Sequence, residues 1–214
     1  VVLPPFSVTS MLPSVMNGGK DFSAWSKRDD FLYNTLRHAV TAALGRDGVA
    51  MPECAIAESK FEKGEDITNR MLALMSRLSE IQSNGTQDIE LAVVGLLVRQ
   101  QVDAGQAIAA QNTLDALRKR FDATGDRRFF PNLDAMDCRI ALHQGDLERA
   151  SDWYRDKAPK DPVHLQVMRR YQYFTQAMCE LAMGNPGAAL LTLSPLDSYC
   201  TTCNRHIDSI HLYT

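Results

Sequence analysis

The chain has 214 residues, of which 45% are hydrophobic and 23% charged, a balance that supports a packed core and excludes an intrinsically disordered polymer. A net charge of -3 gives no global basic character of the kind a nucleic-acid binder carries. The longest apolar run, Ile89 to Val98, is interrupted by Glu90 and falls short of the roughly 20 residues a bilayer span needs, so no membrane segment is expected.

In chain order, the opening "VVLPPFSVTSMLPSV" has three prolines and no basic start, which is not a signal peptide; with no initiator Met, the chain reads as a piece of a longer protein. "NGGKD" follows. Gly18 and Gly19 have the composition of an anion-binding nest, but the plainer reading is a loop capped by Asp21 at a short helical piece running to Trp25. A helix is expected over about 29–44. Four helical pairs come next. Their first helices are expected over about 50–63, 88–104, 132–144 and 164–183, and their second helices over about 66–82, 107–123, 147–157 and 187–199. The last residues, "RHIDSIHLYT", read as the start of another first helix. Runs of clean apolar alternation bounded by turns, the mark of strands, do not occur.

A glycine sits at each junction within a pair: "ESKFEKGED" at Gly64, "RQQVDAGQA" at Gly105, "RIALHQGDL" at Gly145 and "CELAMGNPG" at Gly184. The separations are 41, 40 and 39 residues. Three residues before each glycine stand Phe61, Val102, Leu142 and Leu181, all large and apolar. Seven before stand the smaller Ala57, Val98, Cys138 and Ala177. Five after stand Asn69, Ala110, Ala150 and Ala189, small in three cases of four, which would let two antiparallel helices approach closely. Glycine adopts the left-handed turn at no steric cost, and Asp146 and Pro186 suit helix starts. The expected fold is all-α: a helical-hairpin solenoid like a tetratricopeptide repeat (TPR) array, a right-handed superhelix with a period of about 40 residues. It divides into a leading loop and helices over 1–48, four hairpins over 49–204 and a truncated further repeat over 205–214.

Several segments carry a resemblance. "PSVMNGGKDFSAWSKRD", "AESKFEKGED", "NLDAMDCRIALHQGDLERASDWY" and "YCTTCNRHID" resemble the repeat region of large LuxR-type, MalT-like transcriptional regulators, over nearly the whole chain. The resemblance implies a repeat-built sensor domain lying between an N-terminal nucleotide-binding ATPase and a C-terminal helix-turn-helix. Neither flanking module is in this sequence. The nearest approach to a phosphate loop, "SVMNGGKD", has Ser14 where the first glycine belongs and Asp21 after Lys20 where Ser or Thr belongs. The chain by itself is therefore expected neither to turn over ATP nor to bind an operator. DNA would be reached only through the helix-turn-helix outside it.

Candidate site residues come from the repeat register. Six before the glycines stand Glu58, Arg99, Arg139 and Met178, and two before stand Glu62, Asp103, His143 and Ala182. Positions i and i+4 share a helix face, and first helices line the concave side of a TPR-like array. Arg99 and Arg139, with Glu58 and His143 nearby and Tyr171 closing the groove, would suit an anionic effector, because guanidinium forks match carboxylate and phosphate. The alternative is a solvated charged face with Arg99 paired to Asp103. Cys200, Cys203 and His206, with His211, offer zinc-binding atom types, but zinc motifs space such residues differently, and ordinary cysteines at a helix end are the plainer reading. Trp25, Trp153, Tyr154, Tyr173 and the nine methionines are expected in the core. No catalytic constellation can be assigned, so no enzyme activity, cofactor or metal is expected. Five mostly helix-embedded cysteines fit a reducing, cytoplasmic compartment. The expected function is sensing of an effector ligand or partner protein in the groove, with a homodimer left open. The alternative is a TPR-like protein–protein interaction scaffold with no small-molecule effector.

Overall fold

The computed structural model describes residues 50–84, 87–125, 127–159 and 169–202, and among these every regular element is a helix. In chain order they are α1 Ala50–Glu62, α2 Thr68–Ser76, α3 Leu78–Asn84, α4 Gln87–Asp103, α5 Ala107–Thr124, α6 Phe130–Gln144, α7 Leu147–Asp156, α8 Arg170–Ala182 and α9 Pro186–Thr202. The helix expected over 29–44, the Asp21–Trp25 piece, the glycine pair at 18–19 and the final stretch from Cys203 lie outside the described residues. No helix among the described residues is long and apolar enough to cross a membrane.

All four junction glycines adopt positive φ, from 72° at Gly105 to 76° at Gly184. The hydrogen bonding repeats as well. At each junction the glycine N–H reaches the carbonyl three residues back, and the next N–H reaches five residues back, as in Gly145 to Leu142 (3.1 Å) and Asp146 to Ala141 (2.9 Å). This paired closure satisfies the carbonyls a helix end leaves open. The following helix is then capped: the Asp146 side chain accepts the Arg149 N–H, that of Asn185 the Ala188 N–H, and that of Asp66 the Thr68 N–H. Gly125, the left-handed cap that ends α5, is a fifth such residue; it closes a second helix and so fell outside the spacing rule.

A Cβ built on Gly145 meets nothing within 4 Å, so the conformation alone sets the cost of substitution there. Gly145→Val is expected to lower unfolding free energy by about 1–2 kcal/mol, the penalty of a left-handed backbone for an L-residue. Urea denaturation measures this. A loss below about 0.5 kcal/mol would mean that the left-handed turn carries no cost at this position.

The chain divides into two compact units, residues 1–97 and 98–214, with the boundary inside α4. In the first, Ala50, Cys54 and Ala57 of α1 pack with Met71 and Leu74 of α2, Ile81 of α3, and Ala92, Val93 and Leu96 of α4. The second helix expected over 66–82 is broken at Arg77. The Ser76 hydroxyl bonds back to the Ala73 carbonyl, and the Arg77 N–H takes the Leu74 carbonyl, one residue short of the α-helical step. Arg77 then pairs with Glu53 of α1 at 3.1 Å and with Glu80 at 3.3 Å.

In the second unit α5 and α6 run antiparallel: Gln111 bonds Asp137, and further along α5 Arg118 bonds Asp134, nearer the start of α6. α6 and α7 do the same through Arg149 to Asp137 and Lys157 to Asp134. α6 and α8 instead lie parallel, joined at Asn132–Gln172, Arg139–Thr175 and Cys138–Cys179. The small positions of the register are buried in both units: Ala57, Val98, Cys138 and Ala177 before the glycines, and Ala110, Ala150 and Ala189 after them. Asn69, the exception in sequence, is exposed. Trp153 and Tyr173 are core residues and Tyr154 is half-buried. Met71 and Met136 are buried, whereas Met178 and Met183 are exposed, against the expectation for methionine.

Candidate functional site

The seam between α6 and α8 brings together two of the residues singled out by register. Arg139, half-buried on α6, lays its guanidinium 4.0 Å from the centre of the Tyr171 ring. Its Nε donates to Thr175 Oγ1 at 2.8 Å, and Nη2 points to the Tyr171 carbonyl at 3.5 Å. Thr175 donates in turn to that carbonyl at 2.8 Å. The cation therefore rests on an aromatic face, with its plane set by a hydroxyl, a geometry arginine holds better than lysine. Tyr171 is itself buried, so it acts as a platform under the arginine and not as a lid across an opening. His143, one turn further along α6, is exposed. Arg99 is half-buried on α4, while Glu58 is buried on α1 in the other unit. Cys200 is buried in α9, and Cys203 and His206 lie outside the described residues.

A second polar centre was not legible beforehand. Glu180, buried on α8, accepts three hydrogen bonds at one oxygen: from Tyr154 Oη of α7 (3.1 Å), Gln176 Nε2 of α8 (3.0 Å) and Thr192 Oγ1 of α9 (3.1 Å). Its Oε2 and the Gln176 Oε1 meet no partner among the described residues. Burial, reinforced by this hydrogen bond to Glu180, raises the Tyr154 hydroxyl above the ordinary tyrosine range. In sequence Glu180 looks like any surface acid near a helix end; only the convergence of three helices makes it internal.

A third centre ties α5, α6 and α7. Arg149 makes a two-pronged contact with Asp137, through Nε to Oδ2 at 3.1 Å and Nη2 to Oδ1, while Gln111 Nε2 donates to the same Oδ1 at 2.9 Å. Burial taken alone would raise the Asp137 acid; the hydrogen bonds from Arg149 and Gln111 together outweigh it and hold the carboxyl below its usual range. With the folded value depressed, the stabilisation is present above the unfolded value of roughly 3.9 and is lost as pH falls through the folded one. Asp137→Asn is expected to lower stability by about 1–2 kcal/mol at pH 7, a figure already discounted because both side chains keep about a third of their surface in water. The gap between parent and variant should close on acidification below about pH 4. Urea titrations at pH 7 and pH 3 check this, and a gap that stays constant would show that the carboxylate's charge is not the stabilising element.

These centres differ in what they can do. Asp137, and Glu180 through one of its two oxygens, are held by side chains that tie neighbouring helices together and act as struts. Arg139 and Tyr171 combine a fixed cation with an aromatic face at a partly exposed position, an arrangement that can receive an anion or a carbonyl. Compared with known proteins, the chain matches no protein-family model, no curated protein and no solved structure.

Proposed function

We propose that this chain is a TPR-like, right-handed helical-hairpin array serving as the sensor region of a LuxR-type, MalT-like transcriptional regulator. It receives an anionic effector or the acidic surface of a partner protein along its first helices. The observation that carries the reading is the stacked Arg139 on Tyr171, set between two first helices, α6 and α8, that run parallel with residues about 40 apart in contact. Stacked repeats place equal register on an equal face, which would put Arg99 beside Arg139 on the recognition side, with His143 one turn further along α6. Binding there would shift the relation between ATPase and helix-turn-helix modules outside this chain, and so regulate transcription.

The test is a calorimetric screen of small organic acids, phosphates and acidic peptides against the purified chain. Arg139→Ala is expected to weaken the best hit by about 1–3 kcal/mol, the scale of a lost charge-assisted hydrogen bond. If the variant binds every hit as tightly as the parent, the stacked arginine is a structural clamp and the reading fails.

One observation favours the second reading, a scaffold that joins proteins with no small-molecule effector. The last described hairpin exposes Met178, Leu181 and Met183 at the end of α8 and Leu190 and Leu191 at the start of α9. Neighbouring exposed apolar side chains of this kind are a feature of protein-docking surfaces. Leu190→Asp with Leu191→Asp would abolish partner binding under that reading and leave small-acid binding intact under the first.

A further inference from the structure

Cys138 of α6 and Cys179 of α8 have their sulfurs 3.2 Å apart, and each is 1% exposed. Neither serves the Arg139 stack or the Glu180 tie, although each precedes one of those residues in sequence. Ala135, one turn before Cys138 on the same face of α6, is fully buried as well. Both cysteines are free thiols, and the Cys179 thiol also lies 3.9 Å from the Ala150 carbonyl.

We propose that Cys138 and Cys179 form a paired-thiol modification site that a hydroperoxide closes to a disulfide, cross-linking α6 to α8. The sulfurs are about 1 Å beyond bonding distance, a gap that closure must take up by rotamer change. In this scheme Cys138 is the resolving sulfur and Cys179, the one with the lowered thiol, attacks first. The hydrogen bond from Cys138 lowers its thiol below the ordinary range, with Arg139 adding positive charge, against the opposing effects of burial and Glu180. Cys138 moves the other way, far up, because its proton is held in the same hydrogen bond and a second negative sulfur would be forced against the first.

The chemistry balances with the peroxide as the sole co-reactant. The Cys179 thiolate attacks one peroxide oxygen; an S–O bond forms, the O–O bond breaks, and hydroxide leaves to take up the released proton as water. Sulfur is oxidised to the sulfenic acid and the peroxide is reduced. Cys138 sulfur then attacks Cys179 sulfur; the S–S bond forms, the S–O bond breaks, and hydroxide leaves with the Cys138 proton as a second water. Hydrogen peroxide is little larger than water and enters through local openings of the helix pair. The proposal stands apart from the sensor reading, since it requires no effector.

The experiment treats the full chain with hydrogen peroxide under native conditions, alkylates the remaining thiols in denaturant, and maps peptides without reductant. The expected product joins the Cys138 peptide to the Cys179 peptide with loss of two hydrogens. It is reversed by dithiothreitol, while Cys54 and Cys200 remain alkylated. In Cys138→Ser the cross-link should vanish, and a 1,3-diketone should trap the Cys179 sulfenic acid. The parent map decides the matter even if that variant does not fold. Full alkylation of both thiols after oxidation, or a disulfide joining either of them to Cys54, Cys200 or Cys203, would overturn the proposal.

Discussion

Replacing Phe121 by alanine should cost the second unit about 3–5 kcal/mol, the range for removing a fully buried aromatic side chain. Phe121 has no exposed surface and stands one turn before Gly125 ends α5. Its ring lies 5.4 Å from that of Phe129, tilted by 45°, and Phe129 is the residue that opens α6. The pair therefore packs the end of one helix against the start of the next across a short turn. Cations cover the outside of this corner: Arg128 lies over the Phe129 ring, and Arg118 and Arg127 over Phe130. Truncation removes the buried ring and leaves a cavity that the corner cannot fill without moving the α6 start. Phe121→Leu conserves most of the volume and should cost about 1.5 kcal/mol or less. Urea unfolding of both variants at neutral pH is the measurement. Equal losses for Ala and Leu would show that shape at this corner is immaterial, which the ring geometry contradicts.

Glu180→Ala should cost about 2–3 kcal/mol, because the acceptor shared by Tyr154, Gln176 and Thr192 disappears and the buried Thr192 hydroxyl is left unmatched, while Gln176 keeps the Thr192 oxygen. Thr192 is 5% exposed and suffers most, since water does not reach it readily. Glu180→Gln keeps an acceptor oxygen in place and should cost about 1 kcal/mol. A double-mutant cycle with Thr192→Val isolates the pairwise contribution. A coupling of at least about 0.5 kcal/mol is expected, and additivity within about 0.3 kcal/mol would mean that the contact across α8 and α9 carries no stability.

The helices were largely legible because their signals are local. Apolar periodicity marks a helix in its own residues, and a glycine between an apolar turn and an Asp or Asn marks its end whatever else the chain does. Gly64, Gly105, Gly145 and Gly184 all hold the left-handed geometry expected of them, and α4 to α7 begin and end within about two residues of their expected limits, the usual latitude of helix boundaries. The break at Arg77 was missed for a related reason. Met71, Leu74 and Ile81 keep one face continuous through it, so the periodicity gives no warning, and the interruption comes from Ser76 and Arg77 bonding elsewhere.

The candidate site was legible only in part. Register identified Arg139, and Tyr171 was expected to close the groove; that it instead lies under the arginine depends on how far apart α6 and α8 lie, and no single segment encodes that distance. Cys138 stands seven residues before its glycine and Cys179 five before the next, so no ruler based on equal register pairs them, although the sulfurs meet. Glu180, read alone, has the spacing of a surface acid, but lies at the meeting of three helices. By itself the sequence determined where helices start, stop and turn, and which small residues allow close approach, because propensity, capping and glycine's conformational freedom act within a few residues of chain. Only the tertiary structure decided which polar groups are buried, which arginine is stacked and which thiols touch, because hydrogen bonding and desolvation depend on atoms brought together from helices tens of residues apart.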